Sequence, residues 1–152
     1  MQQVLDSPVG PITLTSDGSA LTGLYMQPGS TDGRCAVLDA AAEQLDAYCA
    51  GSLTGFDVPL AMAGTPFQRS VWAALQQIPF GQTTSYRELA LRIGRPTAYR
   101  AVGLANGRNP ISIIIPCHRV IGSDGSLIGY GGGLDRKRWL LAHEGVQLRL
   151  GA

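Results

Sequence analysis

The stretch from Ile113 to Gly122 reads IIIPCHRVIG, placing a thiol, an imidazole and a guanidinium side by side at Cys117, His118 and Arg119 after a run of β-branched residues. A free thiol titrates near pH 8.5, so ionising it at pH 7 takes only about 2 kcal/mol, which a neighbouring imidazole can supply. Cys117 beside His118 therefore has the makings of a nucleophile with its base. A cysteine after three isoleucines is also an ordinary buried filler residue, and these residues alone leave both readings standing. Pro116 weighs against the filler, because it lacks an N–H and marks the edge or end of a strand. Neighbours on an extended strand point to opposite faces, so contact between Cys117 and His118 needs a bend at Pro116 or a bridging water.

A third group should orient the base. Glu144 fits, as the one acid of the final helical stretch beyond Asp135, although it reads equally as a surface charge at a helix end. His143 beside it reads as a surface residue. No metal is expected, because three cysteines and two histidines include no C-x-x-C or H-x-x-x-H pair. The glycine runs match neither a phosphate-binding loop nor a dinucleotide fingerprint and are expected to shape a turn or pocket. The N-terminus does not resemble a signal peptide, and no apolar run approaches the roughly 20 residues of a membrane span. The expected location is the cytoplasm, with Cys35, Cys49 and Cys117 as thiols.

Several elements must position these groups. PITLTSDGSALTGLYM is a hairpin turning at Ser16–Ser19, and the spacing of Leu38, Ala41, Ala42, Leu45 and Tyr48 predicts a helix over 37–49, stopped by Gly51. GFDVPLAMAG reads as a short strand and a connection, with a domain boundary at Gly64. Thr65, Pro66 and Gln68 then form a capping box with proline at the first helical position, and Phe67, Val71, Trp72 and Leu75 give that helix its buried face. Ser85 and Glu88 repeat the box ahead of a helix stopped by Gly94. Pro96 is expected to open a third helix, PTAYRAVGLAN, ended by Gly107 and Pro110. Two short helices separated by GRP form a helix-turn-helix pattern, which also occurs in proteins that never meet DNA. VIGSDGSLIGY reads as a hairpin at Ser123–Ser126 where a wing would follow. The glycine-rich loop then leads into a basic helix ended by Gly145.

Charge is divided along the chain. Up to Gly64, Arg34 stands alone against seven acids, whereas from Thr65 onward eleven basic residues, ten of them arginine, face only Glu88, Asp124, Asp135 and Glu144. Arginine suits bidentate phosphate contact, so the second part reads as a polyanion-binding region. Arg87, Arg92, Arg95, Arg100 and Arg108 cluster on the helix pair. The small residues Ala98, Ala101, Gly103 and Ala105 serve core packing in part, and would let the second helix approach a narrow groove with Arg100 projecting.

PCHRV at Pro116–Val120, preceded by RAVGLANGRNP and followed by GYGGGLDRKRWLLAHEG, resembles the O6-alkylguanine-DNA alkyltransferase family, also called methylated-DNA-protein-cysteine methyltransferase. The likeness runs from Thr65 to Gly145 and continues more weakly toward the N-terminus. It implies that Cys117 accepts an alkyl group from O6 of guanine, and also from O4 of thymine, in one irreversible displacement. His118 would take the thiol proton through a water, Glu144 would orient His118, and Asn109 would tie the recognition helix to the active-site segment. Tyr86 and Lys137 would assist the leaving guanine. Tyr130 would wall the pocket, the Gly131 N–H would meet O6, and the carbonyls of Cys117 and Val120 would read the exocyclic amine. Arg100 would enter the duplex where the base is flipped out, on a minor-groove helix carrying Ala98, Tyr99, Ala101 and Gly103. Two positions depart from the pattern: Tyr99, where several relatives have alanine, and Gly131, where some have serine.

The expected fold class is α+β. A small strand-and-helix domain spans 1–64, and a winged helix-turn-helix-like domain carrying the cysteine spans 65–152. The expected partner is double-stranded DNA containing O6-alkylguanine, met by a monomer able to assemble cooperatively on DNA, with no cofactor and no membrane. Rival readings are a helix-turn-helix regulator whose cysteine senses alkylating or oxidising agents, a binder of alkylated DNA, and a cysteine hydrolase. Relatives that bind without repairing have replaced the cysteine, which counts against the binder.

Overall fold

The computed structural model describes residues 1–148, so the last four residues of the expected second domain lie outside them. The chain divides into two compact units. Met1–Ala63 and Pro110–Ile114 make the first; Gly64–Asn109 with the chain from Ile115 onward makes the second. The first unit thus takes five residues from the middle of the second half.

In the first unit, β1 (Gln2–Leu5), β2 (Ile12–Ser16) and β3 (Leu21–Tyr25) form an antiparallel sheet in that order. The β2–β3 hairpin agrees with its sequence signal: Asp17 Oδ1 accepts from the amides of Ser19 and Ala20. The polar β1 had no such signal. Helix α1 (Ala36–Cys49) buries Leu38, Ala41, Leu45 and Tyr48 of the stripe its spacing predicts, with Ala42 half-buried at its margin. GFDVPLAMAG does not become a strand; Leu60 makes a single bridge to Leu21.

In the second unit, α2 (Pro66–Leu75) carries the complete capping box, Thr65 Oγ1 accepting from Gln68 N–H at 3.1 Å while Gln68 Oε1 accepts from Thr65 N–H at 3.0 Å. The two-residue β4 (Thr84–Ser85) leads into α3 (Tyr86–Arg92). There Ser85 accepts from the Glu88 N–H, but the Glu88 side chain gives no reciprocal bond. At its end the Gly94 and Arg95 amides reach back to the Leu91 and Ala90 carbonyls, with Gly94 at φ 74°. Helix α4 (Tyr99–Gly107) starts three residues later than Pro96 suggests, because Ala98 N–H turns back to the Arg95 carbonyl and holds Pro96 in the connection. It buries Val102, Ala105 and Asn106, and Trp72 Nε1 donates to the Ala105 carbonyl at 2.8 Å.

The isoleucine run is not a strand. Ile114 N–H bonds to the Ser112 carbonyl across Ile113, whose φ of 71° makes a tight γ-turn in a region that β-branched residues avoid. Cys117 N–H bonds to the Ile115 carbonyl across Pro116, at φ −82° and ψ 63°, an inverse γ-turn. Cys117–Arg119 then form a single 3₁₀ turn, and β5 (Val120–Ile121) pairs in parallel with β4. The expected wing is half present. Gly122 N–H closes the turn onto the Ser126 carbonyl, but no returning strand follows, since Lys137 takes the carbonyls of Ile128 and Gly129. Helix α5 (Leu134–His143) ends in a Schellman motif, with the Gly145 and Val146 amides on the Ala142 and Leu141 carbonyls, fixing Glu144 at the cap.

Candidate active site

The 3₁₀ turn faces Cys117, His118 and Arg119 inward: all three are buried, with Cys117 4% exposed. Residues one step apart on such a turn sit about a third of a revolution apart, so the opposite-face objection to Cys117 and His118 falls away. The α5 cap delivers Glu144 to the same place. His118 Nε2 lies 2.7 Å from Glu144 Oε2, Arg119 Nε donates to Oε1 at 2.8 Å, and an Arg119 terminal nitrogen donates to Oε2 at 3.0 Å. Glu144 is therefore not a surface charge.

A connection after α2 completes this cluster. The Ile78 carbonyl accepts the other terminal nitrogen of Arg119 at 2.6 Å, and the Gly81 N–H donates to Glu144 Oε1 at 3.3 Å. The Phe80 ring lies 5.9 Å from the guanidinium carbon. Gly81 is required here: its φ is 81°, and a Cβ would come within 3.2 Å of the Glu144 carbonyl oxygen. His143 is not simply a surface group, since its ring stacks on Trp139 at 4.8 Å and meets Phe80 edge-on.

Burial pushes the His118 pKa below its ordinary value. The hydrogen bond and charge of Glu144 oppose that shift, and the Arg119 and Lys137 charges add to it. His118 is thus neutral at pH 7, its Nε2 proton directed at Glu144. Its Nδ1 is buried and has no protein hydrogen bond, which leaves that nitrogen to accept a proton.

Lys137 reaches in from α5 and is fully buried. Its Nζ donates to the carbonyls of Val120, Ile128 and Gly129 at 2.6, 2.9 and 3.1 Å. Burial lowers its pKa to about 8, against an opposing pull from negative charge at Cys117. The Val120 carbonyl expected to read the guanine amine is thus already a lysine acceptor. Tyr86, at the start of α3, donates to the Ile128 carbonyl at 3.3 Å. Burial raises its pKa, charge at Cys117 adds to the rise, and the Asn106 amide opposes it. Asn109 Nδ2 donates to the Ile115 carbonyl at 2.7 Å, bridging the two points where the chain leaves and re-enters this unit. Asn106 Nδ2 lies 3.5 Å from the Cys117 carbonyl.

Tyr130 is half-buried and Gly131 exposed on the glycine-rich loop, where a Cβ on Gly131 would meet the Gly107 carbonyl at 3.8 Å. On α4, Arg100 and Ala101 are exposed, Ala98, Tyr99 and Gly103 half-buried, and Ala105 in the core. Tyr99 lies under the Arg87 guanidinium, 4.2 Å from its carbon. The Gly103 face is open, as a Cβ there would touch only the Tyr86 ring at 3.8 Å.

Sequence reasoning gave no role to Asn106 or to the Ile78–Gly81 connection. Asn106 carried a faint signal, an amide one turn beyond Val102 on the buried stripe. The connection works through a carbonyl, an amide and a ring, which no motif marks.

Two family models match this chain: "6-O-methylguanine DNA methyltransferase, ribonuclease-like domain" over residues 1–62, and the same family's "DNA binding domain" over 66–146. The methylated-DNA–protein-cysteine methyltransferase of Mycobacterium tuberculosis is 54% identical, covering 93% of this chain and 90% of its own. That of Methanosarcina barkeri is 51% identical, with 96% and 98% covered. The crystal structure of M. tuberculosis OGT in complex with DNA superposes with a TM-score of 0.87 at 54% identity, over 94% of this chain and 91% of that one. S. pombe Atl1, in complex with damaged DNA containing O6-carboxymethylguanine, superposes over 57% of this chain and 82% of its own, at 33% identity and a TM-score of 0.51. Matched along both units, this chain belongs to the 6-O-methylguanine DNA methyltransferase family.

Proposed function

We propose that this protein repairs DNA by direct reversal, moving a methyl or larger alkyl group from O6 of guanine to the sulfur of Cys117. It is a methylated-DNA–protein-cysteine methyltransferase that acts once per molecule, with O4-alkylthymine as a second substrate. The observation that carries the reading is the burial of Cys117 on one turn with a neutral His118 backed by Glu144. A thiol so placed can be ionised on demand while water is kept from the product.

In the transfer, the Cys117 Sγ–H proton passes through a water to His118 Nδ1, and the thiolate attacks the alkyl carbon from the side opposite O6. The S–C bond forms as the C–O6 bond breaks, and its electron pair stays with guanine. A proton from Tyr86, with Lys137 close by, neutralises the leaving base. The result is a thioether with no route to hydrolysis. Asn109 and Asn106 hold the backbone around the cysteine, while Tyr130, Gly131 and the Val120 carbonyl line the base site.

The base reaches the sulfur by leaving the stack, which costs a few kcal/mol and less for an alkylated, weakly paired guanine. Arg100, on the outer face of α4, fills the gap from the minor groove. Ala101 and Gly103 keep the helix thin there, and Ala98 and Tyr99 meet the backbone at its N-terminal end. Neighbouring arginines bind phosphate. Among the described residues no helix is long and apolar enough to cross a membrane; the reading places the protein in the cytoplasm, working as a monomer that can line up cooperatively on DNA.

The test is to incubate the protein with a duplex containing one O6-methylguanine and weigh the peptide around Cys117. The expected result is one added methyl on Cys117 per protein. Turnover, or methylation elsewhere, would sink the reading.

A further inference from the structure

Arg119 brings a permanent charge into the interior and takes no part in the transfer above. All three of its nitrogens are nonetheless engaged. Nε and one terminal nitrogen clasp both oxygens of Glu144, the other terminal nitrogen holds the Ile78 carbonyl, and the Phe80 ring lies over it. Glu144 in turn has three donors besides His118: two from Arg119 and the Gly81 amide. A carboxylate with that many donors is fixed in rotation and in charge.

We propose that Arg119 is a positioning residue for the proton relay: by clasping both Glu144 oxygens it holds that group as a charged acceptor facing His118 Nε2, so that the proton leaving Cys117 rests on His118. This rests on the alkyl-transfer reading of the site. Without the clasp, Glu144 can turn away or take the Nε2 proton itself, and either change alters the base that serves the thiol. Arg119 also opposes charge on His118, which keeps the imidazole free to accept a proton at rest. The other charged groups bearing on His118 are Glu144 at the end of α5 and Lys137 on it. Helix α2, which also packs on the turn, has Arg69 as its one charged residue, and that side chain is exposed.

The experiment measures single-turnover methyl transfer from a saturating O6-methylguanine duplex across the acid limb of the pH profile, expressed per active molecule. For Arg119→Met the rate at pH 7 should fall on the order of tenfold. Its acid limb should move up by about one pH unit, because a cation opposing imidazolium is gone. Arg119→Lys, keeping the charge but not the two-point clasp, should lose rate with little movement of the limb. On a Glu144→Gln background, Arg119→Met should add less than about twofold. A purely structural arginine would lower the melting temperature and the active fraction but leave the rate per active molecule and the limb where they are; that result overturns the proposal. Should Arg119→Met not fold, nitrogen resonances of the wild-type protein decide. His118 should be neutral at pH 7 with its proton on Nε2, and an imidazolium or the other tautomer overturns the proposal. An unmethylated wild-type Cys117 would instead defeat the alkyl-transfer reading itself.

Discussion

Arg119 and Arg100 are nineteen residues apart in the chain and sit in opposite surroundings. Arg119 is buried, and its nitrogens are spent on Glu144 and Ile78. Arg100 is exposed, and among the described residues neither it nor Arg87, Arg92, Arg95 or Arg108 has a carboxylate partner. Arg87 and Arg95 rest on the rings of Tyr99 and Phe67 instead. A guanidinium held from within can set the state of its neighbours and, being buried, is withheld from phosphate. One left open to solvent contributes little to folding and is available to phosphate. On the proposed reading, the contrast separates the part of the unit that performs the reaction from the part that meets DNA.

The contrast can be broken most severely at Glu144. Glu144→Ala leaves Arg119 buried without a counter-charge, so the protein should lose about 3–5 kcal/mol of stability, read from urea midpoints. Transfer should fall by on the order of a hundredfold, since His118 loses its orienting group. Arg100→Ala should leave the urea midpoint unchanged and slow repair within a duplex by on the order of tenfold, with much less effect on a free alkylguanine. Equal losses on the two substrates would remove the flipping role.

A third expectation concerns acid. The folded pKa of His118 lies below its unfolded value near 6.5, so as pH falls through 6.5 the unfolded chain takes up a proton that the folded one refuses. Its stabilising contribution is complete above that pH and is lost below it, with a slope of at most about 1.4 kcal/mol per pH unit. His118→Gln should flatten this part of the urea-midpoint profile relative to wild type, and identical profiles would show that the imidazole is not buried as described. The smallest effect is reserved for Arg108→Ala, which should leave transfer at saturating DNA unchanged and reduce the salt slope of DNA binding by about 1.

Much of this arrangement could be read from residue order wherever local chemistry decides the structure. The Thr65–Gln68 box, the glycine stops at Gly94 and Gly145, and the α1 stripe each reflect contacts made within a few residues. The cysteine segment followed other rules. Three β-branched residues have strand propensity, yet two successive γ-turns bend this run, and only tertiary packing can hold Ile113 at a positive φ. The failed wing also reflects a distant contact, because the carbonyls of Ile128 and Gly129 are met by a lysine from a later helix. Cys117, His118 and Glu144 were legible as chemistry, and the resemblance of PCHRV to a known family joined them. The Ile78–Gly81 connection was silent because its donors and acceptors are almost all main chain.

The small exposure of Cys117 has a consequence for how long the protein stays useful. A molecule that reacts once must reach its lesion with the sulfur intact, through a solution containing peroxides and small electrophiles. Cys35 and Cys49 are only partly covered, so soluble oxidants meet them more readily. Shelter of this kind prolongs the working life of each copy by limiting how readily small reagents meet the sulfur.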